Sequence, residues 1–144
     1  MKKFILMTLI LWISASTQVL AKRILVLNSY HPQYKWTELL LKGIRKTLSP
    51  HIPPEDIHIE YMDGRRFSDD IEYTRRIKSL IGYKYRHYPI DLIITTDDYA
   101  FQFLRSVHDD IFPQAPVVFA GVNFFKPELL NGHKTSPEFL KGHR

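Results

Sequence analysis

The feature that most constrains the fold of this chain is a regular alternation between short apolar runs and longer segments of helical period. Four short runs, at residues 24–27, 57–62, 91–95 and 116–120, are typical of β-strands. The first run contains no polar residue, which indicates a strand buried on both faces of a sheet. A strand, a helix and a second parallel strand form a right-handed crossover. The sequence therefore predicts an α/β fold, a Rossmann-like parallel sheet of order 2-1-3-4 with helices on both faces.

The segments between the predicted strands carry signals for the start and end of each helix. The first helix begins near Trp36 and ends before a group of prolines, which interrupt helical hydrogen bonding. Ser68 is predicted to cap the second helix, and Asp97 or Asp98 the third, because such side chains accept hydrogen bonds from free helix N–H groups. The predicted core-facing residues are Trp36, Leu39, Leu40, Gly43, Ile44, Thr47 and Leu48 in the first helix, Ile71, Thr74, Ile77, Leu80, Ile81 and Tyr85 in the second, and Ala100, Phe103, Leu104, Val107 and Ile111 in the third.

The first 21 residues are predicted to be an export signal rather than part of the fold. A positively charged start precedes an apolar run at residues 4–13, and small and polar residues follow that run. An uncleaved membrane anchor is the alternative, but a run of this length makes a helix of about 15 Å, about half of a hydrocarbon core. We therefore expect cleavage after Ala21 and a periplasmic protein, with one domain at residues 22–130 and a tail at 131–144.

The composition argues against several kinds of chemistry. The chain has no cysteine, which excludes disulfides, thiolate metal sites and cysteine nucleophiles. Its 7 histidines lack metal-ligand spacing, and neither a phosphate-binding glycine loop nor a Gly-x-Ser-x-Gly elbow is present. Removal of Lys2 and Lys3 with the signal reduces the 20 basic side chains to 18, against 15 acidic ones, so no nucleic-acid partner is expected. We predict no enzyme activity, no cofactor and no metal, and membrane contact only through the export signal.

Polar side chains follow each predicted strand at the point where the strand ends. Because the carboxyl ends of parallel strands meet at one edge of a sheet, ligands of such folds bind at that edge. Amide, hydroxyl, carboxylate and guanidinium groups beside aromatic rings suit the recognition of a small molecule. The four strand ends carry Asn28, Ser29, Tyr30 and His31; Asp63, Gly64 and Arg65; Thr96, Asp97 and Asp98; and Gly121, Val122 and Asn123.

Several of these residues have a structural interpretation as well as a ligand-binding one. Asn28 and Ser29 could bind a ligand or satisfy backbone groups in the turn. Tyr30 and Trp36 could stack on a ligand or close the top of the core, and the helical stripe favours the core for Trp36. One of the two adjacent aspartates is expected to cap a helix. The other is then free for a ligand or, in a different class of function, to act as the base of a small exported α/β hydrolase.

Four segments of the chain, in order, resemble a known family. They read ILVLNSYHPQYKWTELLLKGIRKTL, IEYMDGRRF, DLIITTDDYAFQFL and PVVFAGVN, and they extend over nearly the whole predicted domain. Together they resemble the first half of the periplasmic substrate-binding proteins of ABC transporters. The similarity is to the uncharacterised or tryptophan-type branch, which also serves as a sensor domain of bacterial histidine kinases and diguanylate cyclases.

This resemblance implies the first of two Rossmann-like lobes of a type I periplasmic-binding fold, which close on a small solute. It implies an ABC-transporter permease as partner or, for a sensor domain, a signalling kinase or cyclase. Only 21 residues follow Asn123, so we expect a first lobe alone, with residues 131–144 as the start of a missing second lobe. The ligand-binding positions that it implies are Asn28, Ser29, Tyr30, Asp97, Asp98, Gly121 and Asn123, with Asp63 and Arg65 as a second group.

Overall fold

A computed structural model of the protein describes residues 23–123 and 125–130. The predicted export signal, its cleavage site after Ala21 and the predicted tail at 131–144 lie outside the described residues. No helix within the described ranges combines the length and the apolar character that crossing a membrane requires.

The fold is built on a four-stranded sheet in which every pair of neighbouring strands is parallel. Numbered along the chain, the strands lie in the order 2-1-3-4, so the predicted order is confirmed. Asn28 lies opposite both Tyr61 and Thr96, and Thr96 lies opposite Ala120. This register aligns the last residues of the strands, and the chain therefore leaves all four at the same edge. The strands are β1 (Ile24–Asn28), β2 (Ile57–Tyr61), β3 (Leu92–Thr96) and β4 (Val117–Ala120).

Helices cover both faces of the sheet, as predicted. The helix that follows β1 packs on one face, where it shares a cluster with Ile24, Val26 and Ile94. The helices that precede and follow β3 pack on the opposite face, around Leu25 and Leu27. The helices are α1 (Lys35–Leu48), α2 (Gly64–Phe67), α3 (Ile71–Tyr85) and α4 (Asp97–Ile111), with short 3-10 helices at Pro54–Asp56 and Pro127–Leu130.

The central strand β1 anchors the core and thereby fixes the position of the turn that follows it. Leu25, Val26 and Leu27 are each 0% exposed, which confirms that β1 is buried on both faces. Burial of a side chain of this size contributes about 1.5–3 kcal/mol to folding. From α4, Phe101 and Val107 add fully buried side chains. The core therefore holds the ends of β1 and β3, and the start of α4, in one rigid layer.

The predicted core face is confirmed for α4 and wrong in part for the other two long helices. All five positions predicted in α4 are buried. In α1 the buried residues are Thr37 and Leu41, while Trp36 is 46% exposed and Leu39 52% exposed. The buried face is therefore rotated by about one residue from the predicted stripe. The reason is that the first turn of α1 lies at the carboxyl edge of the sheet, where Trp36 contacts a polar residue instead of the core.

In α3 the predicted face is correct in part, and Ile77 packs against the core as predicted. Ile81 and Tyr85 are buried, as predicted, but Ile71 is 87% exposed and Leu80 is 49% exposed. These two side chains lie on the outer surface of α3. Apolar residues at helical spacing predicted a broader buried face than the sheet can cover.

Both predicted caps are wrong. The cap of α3 is Asp70, whose Oδ1 accepts from Tyr73 N at 2.9 Å, and Ser68 lies two residues too early. The cap position of α4 is Thr96, whose own side chain accepts no capping hydrogen bond from the described residues. Asp97 and Asp98 are the first two residues of α4, and their carboxylates accept hydrogen bonds from elsewhere.

Candidate functional site

The ends of the strands are joined by backbone hydrogen bonds at the carboxyl edge of the sheet. Met62 N donates to Asn28 O at 2.9 Å. Gly64 N donates to Ser29 O at 2.6 Å, which joins the turns after β1 and β2. Ser29 N donates to Thr96 O at 3.3 Å, which joins the turn after β1 to the end of β3. The predicted convergence of the strand ends on one edge is therefore confirmed.

Asn28 and Ser29 lie at the end of β1, and both are 0% exposed. The Asn28 amide donates to Glu60 O at 3.2 Å and accepts from Thr96 Oγ1 at 3.3 Å. The Ser29 hydroxyl donates to Thr96 O at 2.5 Å and accepts from Ala100 N at 2.8 Å. These side chains therefore follow the structural interpretation and hold the sheet together. A solute would have to break these hydrogen bonds to reach them, so we withdraw them from the candidate site.

Asp97 lies at the point where α1, α4 and the turn after β4 meet. Its Oδ1 accepts from Trp36 Nε1 at 2.8 Å, which joins α1 to α4. Gly121 lies against the same oxygen, because a Cβ at this glycine would stand 3.0 Å from Oδ1, and its φ of 73° also favours glycine. Asp97 itself has a positive φ of 63° and is 5% exposed. Its Oδ2 has no hydrogen-bond partner among the described residues.

Asp98 fastens the turn after β4 to the first turn of α4. Its Oδ1 accepts from Asn123 N at 3.0 Å, and its Oδ2 accepts from Asn123 Nδ2 at 2.6 Å. Asp98 is half-buried and Asn123 is exposed. The structure thus brings together two predicted site residues that are 25 positions apart in the sequence.

Aromatic side chains from the turn after β1 lie along the same edge. The rings of Tyr30 and Tyr34 meet edge to face, with their centroids 5.0 Å apart. Arg65 contacts the outer ring of this pair, since its Nη1 donates to Tyr34 Oη at 3.2 Å and its Cζ lies 5.0 Å from the Tyr34 centroid. Trp36, hydrogen-bonded to Asp97, completes the aromatic part of the edge.

Asp63, by contrast, immediately precedes α2 and pairs with a residue of that short helix. It has a positive φ of 52°, forms an ion pair with Arg66 and is 8% exposed. Its charge is one of the effects, after burial, that raise the pKa of Tyr73 at the start of α3. Of the second group of predicted residues, Arg65 therefore lies with the aromatic rings and Asp63 does not.

The carboxylates make this edge electronegative. Burial raises the pKa of Asp97, the hydrogen bond from Trp36 opposes that rise, and the charge of Asp98 adds to it. Burial, followed by the charges of Asp97 and Asp98, also raises the pKa of the Tyr30 phenol. Within the described ranges, neither Asp97 nor Asp98 forms an ion pair with a basic side chain.

We define the carboxyl-edge site as Tyr30, Trp36, Asp97, Asp98, Gly121 and Asn123. Two open depressions lie elsewhere, beside the residues that precede β3 and β4, and one of them is lined by Arg75, Lys78 and Tyr83. Two basic groups in that depression are already engaged, Arg75 with Glu72 and Lys78 with Asp110. The carboxyl-edge site is the better candidate because its polar groups converge from three elements.

The chemistry available at the site is that of fixed hydrogen-bond acceptors beside aromatic rings. In the part of the chain that the structure describes, no group of three His, Asp or Glu side chains could hold a metal ion. The Ser29 hydroxyl donates to a carbonyl oxygen, so it is not placed as a nucleophile next to a base. The arrangement suits binding and orientation of a small molecule.

Comparison with known proteins gives no relative for this chain. No protein-family model matches it, and no curated protein or solved structure matches it either. The parallel sheet and the site at its carboxyl edge define an α/β protein of Rossmann-like architecture. The resemblance to periplasmic substrate-binding proteins stays a prediction from the sequence motifs.

The sequence analysis misses the hydrogen bond from Trp36 to Asp97 and the contact between the rings of Tyr30 and Tyr34. Trp36 fits an apolar helical stripe, which predicts a position in the core, yet its indole N–H donates to Asp97. The available signal was its position in the first turn after a strand-end loop, where a tryptophan has a polar partner nearby when it is partly buried. For Tyr34, the spacing of four residues from Tyr30 was the only sequence signal of the pair.

Proposed function

We propose that this protein is an exported, non-enzymatic solute-recognition module related to the substrate-binding proteins of ABC transporters. It binds a small metabolite at the carboxyl-edge site, for delivery to a permease or for signalling to a membrane kinase. The export signal predicted at residues 1–21 supports the location, and the ordered family-like motifs support the relationship to this family. Parallel α/β sheets bind their ligands beyond the carboxyl ends of the strands, which supports the position of the site.

The observation that carries the proposal is the meeting of Trp36, Asp97, Asp98 and Asn123. Two short hydrogen-bonded links, from α1 to α4 and from α4 to the turn after β4, gather these side chains at one edge. Each functional group is held by a partner from another element before any ligand arrives. Such preorganisation lowers the entropic cost of binding, because fewer side chains must be ordered by the ligand.

The test is thermal unfolding of the full chain in the presence of metabolite panels containing amino acids, amines, sugars and nucleosides. We expect at least one class to raise the melting temperature in proportion to the logarithm of its concentration. Trp36→Ala should abolish this shift. Tyr83→Ala is the matched control, because Tyr83 is an aromatic residue that is 89% exposed and lines the depression at the other end of the molecule.

Two outcomes would contradict the proposal. One is the absence of stabilisation by every metabolite class, in a chain that unfolds cooperatively. The other is a ligand whose effect survives Trp36→Ala and disappears with Tyr83→Ala, which would place binding in the depression beside α3.

A further inference from the structure

The carboxyl-edge site contains two negative charges that no cation of the described chain compensates. The hydrogen-bond donors to these carboxylates are neutral: Trp36 Nε1 for Asp97, and Asn123 N and Nδ2 for Asp98. The ion pairs of the described residues involve other acidic side chains. Adjacent carboxylates repel each other, and a positive charge close to both would remove that repulsion.

Asp97 adds a second and independent observation. It is 5% exposed, and its Oδ2 has no hydrogen-bond partner among the described residues. A buried carboxylate with a single neutral donor is unfavourable unless a further donor or a counter-charge is provided. The left-handed backbone at this residue places the carboxyl between Trp36 and Gly121, inside the site.

Trp36 provides a surface on which a cation could rest. Its side chain keeps much of its ring accessible, with 46% of the residue exposed, while its N–H is fixed on Asp97. The face of an indole attracts cations, and among aromatic side chains it does so most strongly. A hydrogen bond from the indole N–H to a carboxylate increases the electron density of the ring. The Asp97 carboxylate lies at the N–H edge of the ring, so a cation on the adjacent face is attracted by the ring and by this nearby negative charge.

Arg65, a cation that contacts Tyr34 at this edge, does not occupy the same position. Its guanidinium lies over Tyr34 and donates to the Tyr34 hydroxyl. It forms no ion pair with either carboxylate of the site within the described ranges. Its charge lowers the pKa of the Tyr30 phenol, but this is the smallest of the effects on that group.

We propose that the carboxyl-edge site recognises its solute through an ammonium or guanidinium group, which lies on the Trp36 indole and is neutralised by Asp97 and Asp98. The proposal rests on the proposed function and specifies its ligand class. A neutral molecule of the same shape would gain only the apolar contact with the ring. An anionic molecule would be repelled by both carboxylates.

The experiment compares charged probes with neutral probes of the same shape. Choline and 3,3-dimethyl-1-butanol differ by the exchange of the quaternary nitrogen for carbon, and guanidinium and urea form a second pair. Binding is followed by tryptophan fluorescence and by calorimetry. The full chain carries Trp12→Phe, so that Trp36 is its only tryptophan.

We expect the cation of at least one pair to bind at least about tenfold more tightly than its neutral partner, a difference of about 1.4 kcal/mol. Asp97→Asn and Asp98→Asn should each reduce that preference. Asp110→Asn should leave it unchanged. Asp110 is the matched control because it is an exposed carboxylate near the opposite end of the same helix. Circular dichroism establishes that each variant is folded.

Equal binding of both members of each pair would overturn the cation proposal, and so would a preference that survives both site substitutions. If neutral or anionic metabolites bind and quench Trp36 while cations do not, the cation proposal fails and the proposed function stands. If no compound of any charge binds, both fail together.

Discussion

Substitution of Ser29 by alanine tests whether the residues directly after β1 hold the sheet or bind a ligand. The Ser29 hydroxyl lies between Thr96 O and Ala100 N, at 2.5 and 2.8 Å. In a regular helix the Ala100 N–H would donate directly to Thr96 O, four residues earlier in the chain. Here the Ser29 hydroxyl lies between these two groups and bonds to both of them. Ser29→Ala removes the bridge and leaves the Ala100 N–H without its acceptor in a fully buried place.

The expected loss of stability is about 2 kcal/mol, because an unsatisfied buried donor or acceptor costs about 1–3 kcal/mol. For a domain of this size, such a loss lowers the melting temperature by about 8–16 °C. Chemical denaturation of the full chain measures the free energy of unfolding directly, and the slope of the transition should be unchanged. Ser79→Ala is the control, because the Ser79 hydroxyl lies on the exposed face of α3 and donates only to Arg75 O. That variant should change stability by no more than about 0.5 kcal/mol.

A ligand-binding role for Ser29 makes the opposite prediction. In that case Ser29→Ala would leave the free energy of unfolding close to that of the wild type and weaken solute binding at a temperature where both proteins are folded. That pair of results would refute the assignment of Ser29 to the sheet.

Three further predictions concern packing and charge near the same edge. A Cβ on Gly64 would overlap the Tyr99 ring, so Gly64→Ala should destabilise the fold by about 1–3 kcal/mol. Gly43→Ala is the control and should not destabilise the fold, because a Cβ at Gly43 would meet no described atom within 4 Å. Denaturation curves measure the free energy of unfolding of both variants. The Thr37 hydroxyl is buried and has no hydrogen-bond partner in the described part of the chain, so Thr37→Val should leave the melting temperature unchanged or raise it. A clear decrease would show that the hydroxyl is satisfied. Because burial raises the pKa of Asp97, its contribution to stability is present below its unfolded pKa and lost as pH rises through its folded pKa. Asp97→Asn should therefore gain stability relative to the wild type as pH rises above about 4, the ordinary pKa of an aspartate, and a difference that is constant with pH would contradict this.

The order of the sheet could be predicted because every level of the sequence favoured the same answer. Buried strands appear as continuous apolar runs, and right-handed crossovers leave few ways to order four parallel strands. The apolar face of α4 was equally clear, since that helix is covered by the sheet along its length. The buried face of α1 could not be predicted as clearly, because the spacing of apolar residues cannot show that the first turn of the helix lies at the edge of the sheet. Trp36 and Leu39 fit a helical stripe and still reach solvent.

The caps could not be predicted for a related reason. A polar residue before an apolar helix is a good candidate for a cap, but several candidates stood next to each other in both places. At α3, Asp70 was one of three adjacent capping residues and was the one closest to the helix. At α4, the two aspartates accept hydrogen bonds from Trp36 and Asn123, which are distant in the sequence, instead of capping the helix. Local sequence carries no information about such partners.

The candidate residues differ in their depth at the edge of the sheet, and this difference explains which of them remain candidates for the site. The last residue of a strand and the one after it are buried and hydrogen-bond to the neighbouring strands, as Asn28 and Ser29 do. Residues one or two positions further along reach the surface, as in Tyr30, half-buried, and Asp98. Asp97 lies between these levels, since its carboxyl is buried yet hydrogen-bonded to the N–H edge of a partly exposed indole. Its charge can act on a solute without touching it, so Asp97→Asn should alter the selectivity of the site for charge more than its selectivity for shape.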